Sequence, residues 1–131
     1  MSAEIPISFQ VRHPILNADD LADRLSLPAQ VRQTVGEKRS TPTGRELSGE
    51  YAESLCSFRL ATQSEQAEPE LSRFIADKLS NKTNELRTIA DSGGTAQFYI
   101  TFARDGAFQT LSPALIQQLA DLRVGFALDW Y

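Results

Sequence analysis

The chain has 131 residues, of which 41% are hydrophobic, and 13 basic against 17 acidic side chains give it a formal net charge of −4. This length predicts a single domain over residues 1–131, and the acidic balance argues against nucleic-acid binding, which requires clustered positive charge. One Cys and one His can form neither an internal disulfide nor a Cys/His zinc site, so we expect no metal site.

The sequence shows neither a membrane helix nor a secretory signal, and this predicts where the protein is located. No stretch approaches the ~20 consecutive apolar residues of a membrane helix. Residues 1–9 have neither the basic region nor the apolar region of a secretory signal. We therefore expect a cytoplasmic protein with no membrane partner, in which Cys56 is a reduced thiol.

The first predicted elements are a strand and a helix. A strand is predicted over residues 5–13, because apolar side chains alternate there until Pro14 removes a ladder N–H. Asn17 has the side chain of a helix N-cap, and a helix is predicted over residues 18–26, before Pro28. The inner face of the strand comprises Ile5, Ile7, Phe9, Val11 and His13.

A long loop is predicted after a short strand that Val31, Gln33 and Val35 indicate. Residues 36–45 contain two glycines, one proline and three cations without any apolar period, which is typical of a surface loop. Loops of this length are uncommon inside a compact domain and are usually either functional or mobile.

The middle of the chain predicts two more strands with helices between them. Alternation predicts a strand over residues 56–62 and another over residues 95–103. Between them, a helical region begins at Pro69 and ends near Ser92, as two helices or one kinked helix. Asp105-Gly106 is a strong hairpin signal, which predicts an antiparallel fourth strand over residues 107–111.

The last predicted elements are a helix and a strand. Ser112 is the predicted cap of a helix that has Pro113 at its first position and Ile116 on its core face. The final strand alternates Val124, Phe126, Leu128 and Trp130, and this alternation assigns Trp130 to the core. Together the elements predict an α+β fold: a largely antiparallel sheet of about five strands, with three to four helices mainly on one face.

Two residues could support an enzyme. His13 is the natural general base at neutral pH, but its place on the apolar face of the strand favours a structural role. Cys56 also faces inward, where a thiol usually acts as a small hydrophobe. A small hydrolase-like enzyme that uses His13 with a carboxylate or Cys56 remains the alternative.

No sequence motif assigns a catalytic residue or a cofactor. The chain lacks the glycine pattern of a dinucleotide-binding turn, the phosphate-binding loop and the alternating ligands of a calcium loop. We therefore name no catalytic residue and expect no cofactor.

The candidate binding residues are Lys38, Arg39 and Arg45 in the loop and Asp129 in the last strand. The loop cations belong either to a solvated flexible loop or to a lip that binds an anion or a partner, since backbone N–H groups beside cations favour phosphate or carboxylate. A third interpretation is internal, with Asp129 paired to one of these arginines.

The order of the elements and three short stretches are shared with a known family. The stretches are Asn17-Ala18-Asp19-Asp20-Leu21 continuing into residues 25–28, Gly36-Glu37 with Arg39 and Gly44, and residues 111–115 with the ending Asp129-Trp130-Tyr131. On these residues the chain resembles, from Ile5 to Tyr131, the bacterial domain-of-unknown-function family DUF4279. It departs from the family at Phe58, where a Trp is frequent, and at Val35, where a Lys precedes the Gly-Glu pair.

The resemblance implies a small α+β accessory or interaction module with no established activity. It also implies, as an alternative, an immunity-type protein that neutralises a toxin. With the residues themselves, it predicts a non-enzymatic module that contacts a protein partner or a small anionic ligand through the 36–46 loop and the adjacent sheet surface. A homodimer formed through an exposed strand edge is the third hypothesis.

Overall fold

The computed structural model describes residues 5–104 and 109–130. Within them lie a five-stranded sheet, a two-stranded sheet and four α-helices. A π-helical turn over Ile75–Leu79 continues the second helix. The strands are β1 (Ile7–His13), β2 (Val31–Gln33), β3 (Lys38–Ser40), β4 (Glu46–Glu50), β5 (Ser54–Arg59), β6 (Thr95–Phe102) and β7 (Val124–Trp130), and the helices are α1 (Ala18–Leu25), α2 (Ala67–Phe74), α3 (Thr83–Asp91) and α4 (Pro113–Asp121).

The larger sheet has the strand order β2-β5-β1-β6-β7. The neighbours within β2-β5-β1-β6 are antiparallel, and β7 runs parallel to β6 at one edge. This arrangement confirms the predicted α+β class with a largely antiparallel sheet of five strands. The parallel pair follows from the crossover connection through α4, since adjacent parallel strands cannot be joined by a tight turn.

The core lies between the helices and one face of the larger sheet. Phe9 of the central strand β1 is completely buried and stands directly opposite Phe58 on β5 and Phe98 on β6. Its ring centroid lies 6.1 Å from that of Phe58, 5.1 Å from that of Phe98 and 5.7 Å from that of Phe74 on α2. The opposite face of β1 carries Ser8, Gln10 and Arg12, so the sheet is apolar on the helix side only.

Side-chain caps begin two of the helices at the predicted positions. Asn17 Oδ1 accepts a hydrogen bond of 2.8 Å from the Asp20 amide at the start of α1. Ser112 Oγ accepts one of 3.2 Å from the Leu115 amide at the start of α4. The prediction that Ile116 faces the core is wrong, because its side chain lies on the solvent side of α4.

The prediction of one long loop over residues 36–45 is wrong in part, because residues 38–40 form β3, which pairs antiparallel with β4 in a ribbon, and residues 41–45 form the turn between the two strands. We call residues 34–53, which connect β2 to β5 and contain this ribbon, the arm. Backbone bonds of 3.0 Å in both directions join residues 36 and 37 to Tyr51 and close its base. Every residue of β3 and β4 is exposed. Because neither face is buried, the ribbon leaves no apolar alternation in the sequence.

The prediction of a hairpin after β6 is also wrong for the residues that the structure describes. Asp105-Gly106 and residues 107–108 lie outside the described residues. Residues 109–111, the described part of the expected strand, are not in a strand, and the outer neighbour of β6 is the parallel strand β7.

The predicted burial of Trp130 is wrong as well, although its face was predicted correctly. The register pairs Phe126 with Phe98, so the even-numbered residues of β7 share the helix side of the sheet. Only Val124 is buried there, while Phe126 is 37%, Leu128 44% and Trp130 55% exposed. The helices therefore cover only the beginning of β7.

Gly94, between α3 and β6, offers a direct test of how closely the end of α3 packs against the end of β1. A Cβ atom built on it would lie 2.7 Å from Ile89 Cγ2 and 2.8 Å from both the Arg12 carbonyl oxygen and His13 Cδ2. We expect Gly94→Ala to lower the free energy of unfolding by about 1–3 kcal/mol. Gly125→Ala is the control, since nothing lies within 4 Å of the added methyl group. Urea denaturation of both variants makes the comparison, and equal stabilities would contradict this packing.

Candidate functional site

The tip of the arm is a closed turn with a defined backbone. The Thr41 amide donates to the Arg45 carbonyl over 2.8 Å, and the Gly44 amide donates to the Thr41 carbonyl over 2.9 Å. Gly44 has φ = +90°, a conformation that residues with a Cβ rarely adopt. At the base, the Val35 amide donates to the buried Ser54 Oγ over 2.9 Å. Hydrogen bonds therefore define the backbone at both the tip and the base of the arm.

The three cations of the arm have different surroundings. Lys38 Nζ lies 3.1 Å from Glu46 Oε2 in an exposed ion pair. Arg39 donates to the Ser48 carbonyl over 3.3 Å. The Arg45 side chain, beside the tip, has no hydrogen-bond or ion-pair partner among the residues that the structure describes.

The charges of the arm largely cancel. Residues 36–50 hold three cations and the three carboxylates Glu37, Glu46 and Glu50, so their formal sum is zero. In the register of the ribbon, Lys38 lies directly opposite Glu50, and Glu46 lies opposite Ser40. The field of the arm is therefore mixed: Lys38 is ion-paired, Arg39 donates to a neutral carbonyl, and Arg45 has no side-chain partner in the described structure.

Asp129 does not join the arm cations in one site. It lies on β7, at the edge of the larger sheet opposite to β2, where the arm begins. Its Oδ2 accepts a hydrogen bond of 2.8 Å from the Tyr99 hydroxyl, and this bond is the main cause that raises the pKa of Tyr99. Arg39 and Arg45 therefore do not supply its partner, and the internal pairing that we considered is absent from the described structure.

The polar face of the sheet adjoins the base of the arm. Arg12, on that face of β1, donates to Glu53 Oε1 over 3.1 Å. Glu53 is the last residue of the arm before β5. This exposed ion pair stands between the arm and the polar side chains of β1, so that both belong to one continuous surface.

A pocket of about 270 Å³ lies where the end of β5 meets α2 and the π-helical turn. Phe58 and Phe74 contribute apolar surface to it, and Lys78 of the π-helical turn contributes a cation. Glu70 also lines it, but this buried carboxylate accepts bonds from Arg73, the Gln63 amide and Ser64 Oγ. Glu70 thus holds the loop before α2. The helical pattern of the sequence does not reveal these contacts, because Gln63 and Ser64 lie in the loop before α2.

A second, more apolar groove of about 500 Å³ lies beside β7. It is lined on one side by Phe126, Leu128 and Trp130, which we call the β7 apolar face. The Trp130 ring lies 6.1 Å, centroid to centroid, from Phe102 on β6. Alternation along β7 does not reveal this surface, because it assigns these side chains to the core.

His13 is built into the structure through both ring nitrogens. Nδ1 accepts hydrogen bonds from the amides of Ile15, at 3.0 Å, and Leu16, at 2.9 Å. We assign the ring proton to Nε2, because a nitrogen that accepts two N–H groups carries none. Nε2 then donates to Ser92 Oγ over 2.8 Å. Burial, followed by the charge of Arg24, lowers the pKa of His13, so the ring is neutral at pH 7.

Neither His13 nor Cys56 is placed for catalysis. His13 is 1% exposed, and it lines neither of these two pockets nor a third pocket of about 390 Å³ beside Ser8 and Tyr99 on the polar face of the larger sheet. Cys56 is completely buried, its Sγ donates to the Ala18 carbonyl over 2.9 Å, and burial raises its pKa to about 11. The thiol therefore stays protonated, and no thiolate is available as a nucleophile.

Two further arrangements are absent from the described residues. Between residues 5 and 104 and between 109 and 130, no three side chains of His, Cys, Asp or Glu are grouped closely enough to hold a metal ion. None of the helices in this part of the chain has the length and hydropathy needed to cross a bilayer.

Comparison with protein-family models, with curated proteins and with solved structures finds no match for the chain.

The buried neutral His13 predicts a pH-dependent stability. Because its pKa in the folded state lies below the unfolded value of 6.5, the unfolded state binds the extra proton first. The free energy of unfolding should therefore fall as the pH drops below 6.5, by at most about 1.4 kcal/mol per pH unit for one proton.

The variant His13→Asn separates this effect from the titration of the carboxyl groups. Its Oδ1 can still accept from the amides of the turn at residues 15–16, but it does not titrate in this range. Urea denaturation between pH 5 and pH 7.5 should show a shallower pH dependence for this variant, at a lower stability. Equal slopes for the two proteins would contradict a buried neutral histidine.

Proposed function

We propose that this chain is a non-enzymatic binding protein that contacts a partner protein through the arm and the adjoining polar face of the larger sheet. The observation that carries the proposal is the exposure of every residue of β3 and β4 in an arm whose backbone is well defined. A ribbon that buries no side chain adds little to the core. Its structure is therefore better explained by what it presents to the outside.

The shape of the arm favours a protein over a small anion as the partner. Sites for small molecules are concave and enclose most of their ligand, but residues of the arm line none of the three pockets. The formal charge of residues 36–50 is zero, which also argues against a dedicated anion site. Arg45 and the partly exposed Leu47 instead resemble the contacts of a protein interface, where Arg is enriched.

The resemblance to DUF4279 is part of this proposal. A toxin is one partner of the proposed class, since the resemblance implies immunity-type proteins. The hydrolase-like alternative receives no support from His13, whose nitrogens are both engaged, or from Cys56, whose thiol is protonated.

Replacing the arm cations tests the proposal. We expect Lys38→Ala, Arg39→Ala and Arg45→Ala together to abolish co-purification of a partner protein from a lysate of the native cells. The thermal melt should remain nearly unchanged, because the Lys38–Glu46 pair is exposed and such pairs contribute only about 0–1 kcal/mol. Affinity purification followed by mass spectrometry makes the measurement.

A matched control removes three exposed cations outside the arm. The variant Arg24→Ala, Lys78→Ala and Arg87→Ala, whose cations lie exposed on α1, the π-helical turn and α3, changes the net charge by the same amount and should retain the partner. Retention of every partner by the arm variant, or equal losses in both variants, would contradict a role for the arm.

A further inference from the structure

Strand β7 has the features of an unprotected sheet edge. It is seven residues long and, among the strands that the structure describes, has a neighbour on one side only. Natural edges are usually blunted by lysines, prolines, bulges or very short strands. The other edge of this sheet, β2, has three residues and carries Arg32, whereas β7 has neither lysine nor proline. Its β7 apolar face, formed by Phe126, Leu128 and Trp130, is also exposed.

We propose that β7 pairs with β7 of a second copy of this chain, antiparallel, about a two-fold axis that passes through Phe126. The two five-stranded sheets then form one sheet of ten strands. This interface lies at the opposite edge of the sheet from β2 and the arm, so it does not depend on the function proposed for the arm.

The side-chain pattern of β7 selects this position of the axis. An axis through a residue pairs positions of the same parity, so that the apolar faces of both copies lie on the same side of the joint sheet. An axis at Phe126 brings Arg123 of each copy, which lies in the turn directly before β7 with φ = +59°, to the end of the strand pair beside Asp129 of the other copy. An axis at Ala127 would set Asp129 opposite Gly125 and lose both charge pairs.

The two charges are available for this contact. Arg123, directly before β7, is 49% exposed in its ion pair with Asp91. Asp129 accepts from Tyr99 through Oδ2 and is itself exposed. Because a carboxylate accepts several hydrogen bonds and a guanidinium donates five, each can keep its present partner and add a second. The strand is therefore self-complementary in charge as well as in hydrogen-bonding groups.

The same axis covers the apolar surface that the helices leave open. Phe126 of one copy meets Phe126 of the other at the axis, and Leu128 stands opposite Val124 on each side. Next to the axis on the polar face, the small residues Gly125 and Ala127 face one another, so no bulky side chain prevents close pairing there. Removal of this apolar surface from water favours association.

Sedimentation velocity over a range of concentrations tests the proposal on the full chain. We expect a dimer with a dissociation constant below about 1 mM, the weak end of measurable association. Phe126→Lys sets two ammonium groups beside each other at the axis and should weaken the dimer at least about tenfold. Ile15→Lys changes an exposed isoleucine outside β7 in the same way and should leave the dimer intact.

Charge exchange tests the register. Asp129→Arg and Arg123→Asp each create two like-charged contacts and should each weaken the dimer, while the double variant restores the opposite charges and should recover it. Circular dichroism melts verify that each variant is folded.

A monomeric wild-type chain at high concentration would overturn the proposal and would leave β7 to a partner of different sequence. An unchanged dimer in Phe126→Lys, or a double exchange that does not recover, would overturn it as well. Loss of a partner in the arm variant with the dimer intact would support both surfaces independently.

Discussion

The helices of this chain cover one face of the larger sheet, and every long strand turns its alternate side chains toward that face. The central strand β1 satisfies this constraint completely, since Phe9 is enclosed by aromatic rings from both neighbouring strands and from α2. Helices α1 and α3 pack over β5 and β6, while α4 packs over β7. Because only the start of β7 is covered, the last three apolar side chains of that face remain in contact with water.

The elements with local signals were predictable from the sequence. The caps Asn17 and Ser112 were identified because N-cap side chains bond to amides a few residues away. The direction of Trp130 followed from alternation, but its exposure did not, since burial depends on how far a helix layer extends across the sheet. The arm was missed because alternation records a buried face and β3 and β4 have none.

The candidate site was predictable only in part, for a similar reason. Composition identified Lys38, Arg39 and Arg45, but only the folded arm shows that Lys38 contacts Glu46 while Arg45 stays without a partner in the described structure. The alternation along β1 indicated a structural role for His13, but the hydrogen-bond partner of its Nε2, Ser92, is 79 residues away in the chain. Contacts of this kind arise only when the fold is complete, so they could not be read from spacing.

The account places association at surfaces that the core does not use, and its central claim is that β7 is an uncovered edge. Hydrogen–deuterium exchange of β7 amides in dilute and in concentrated samples measures this most directly, because exchange reports the protection of individual amides. The account predicts that amides of residues 124–129 become protected at high concentration while those of β1 do not change. Equal protection of β7 at both concentrations would contradict it.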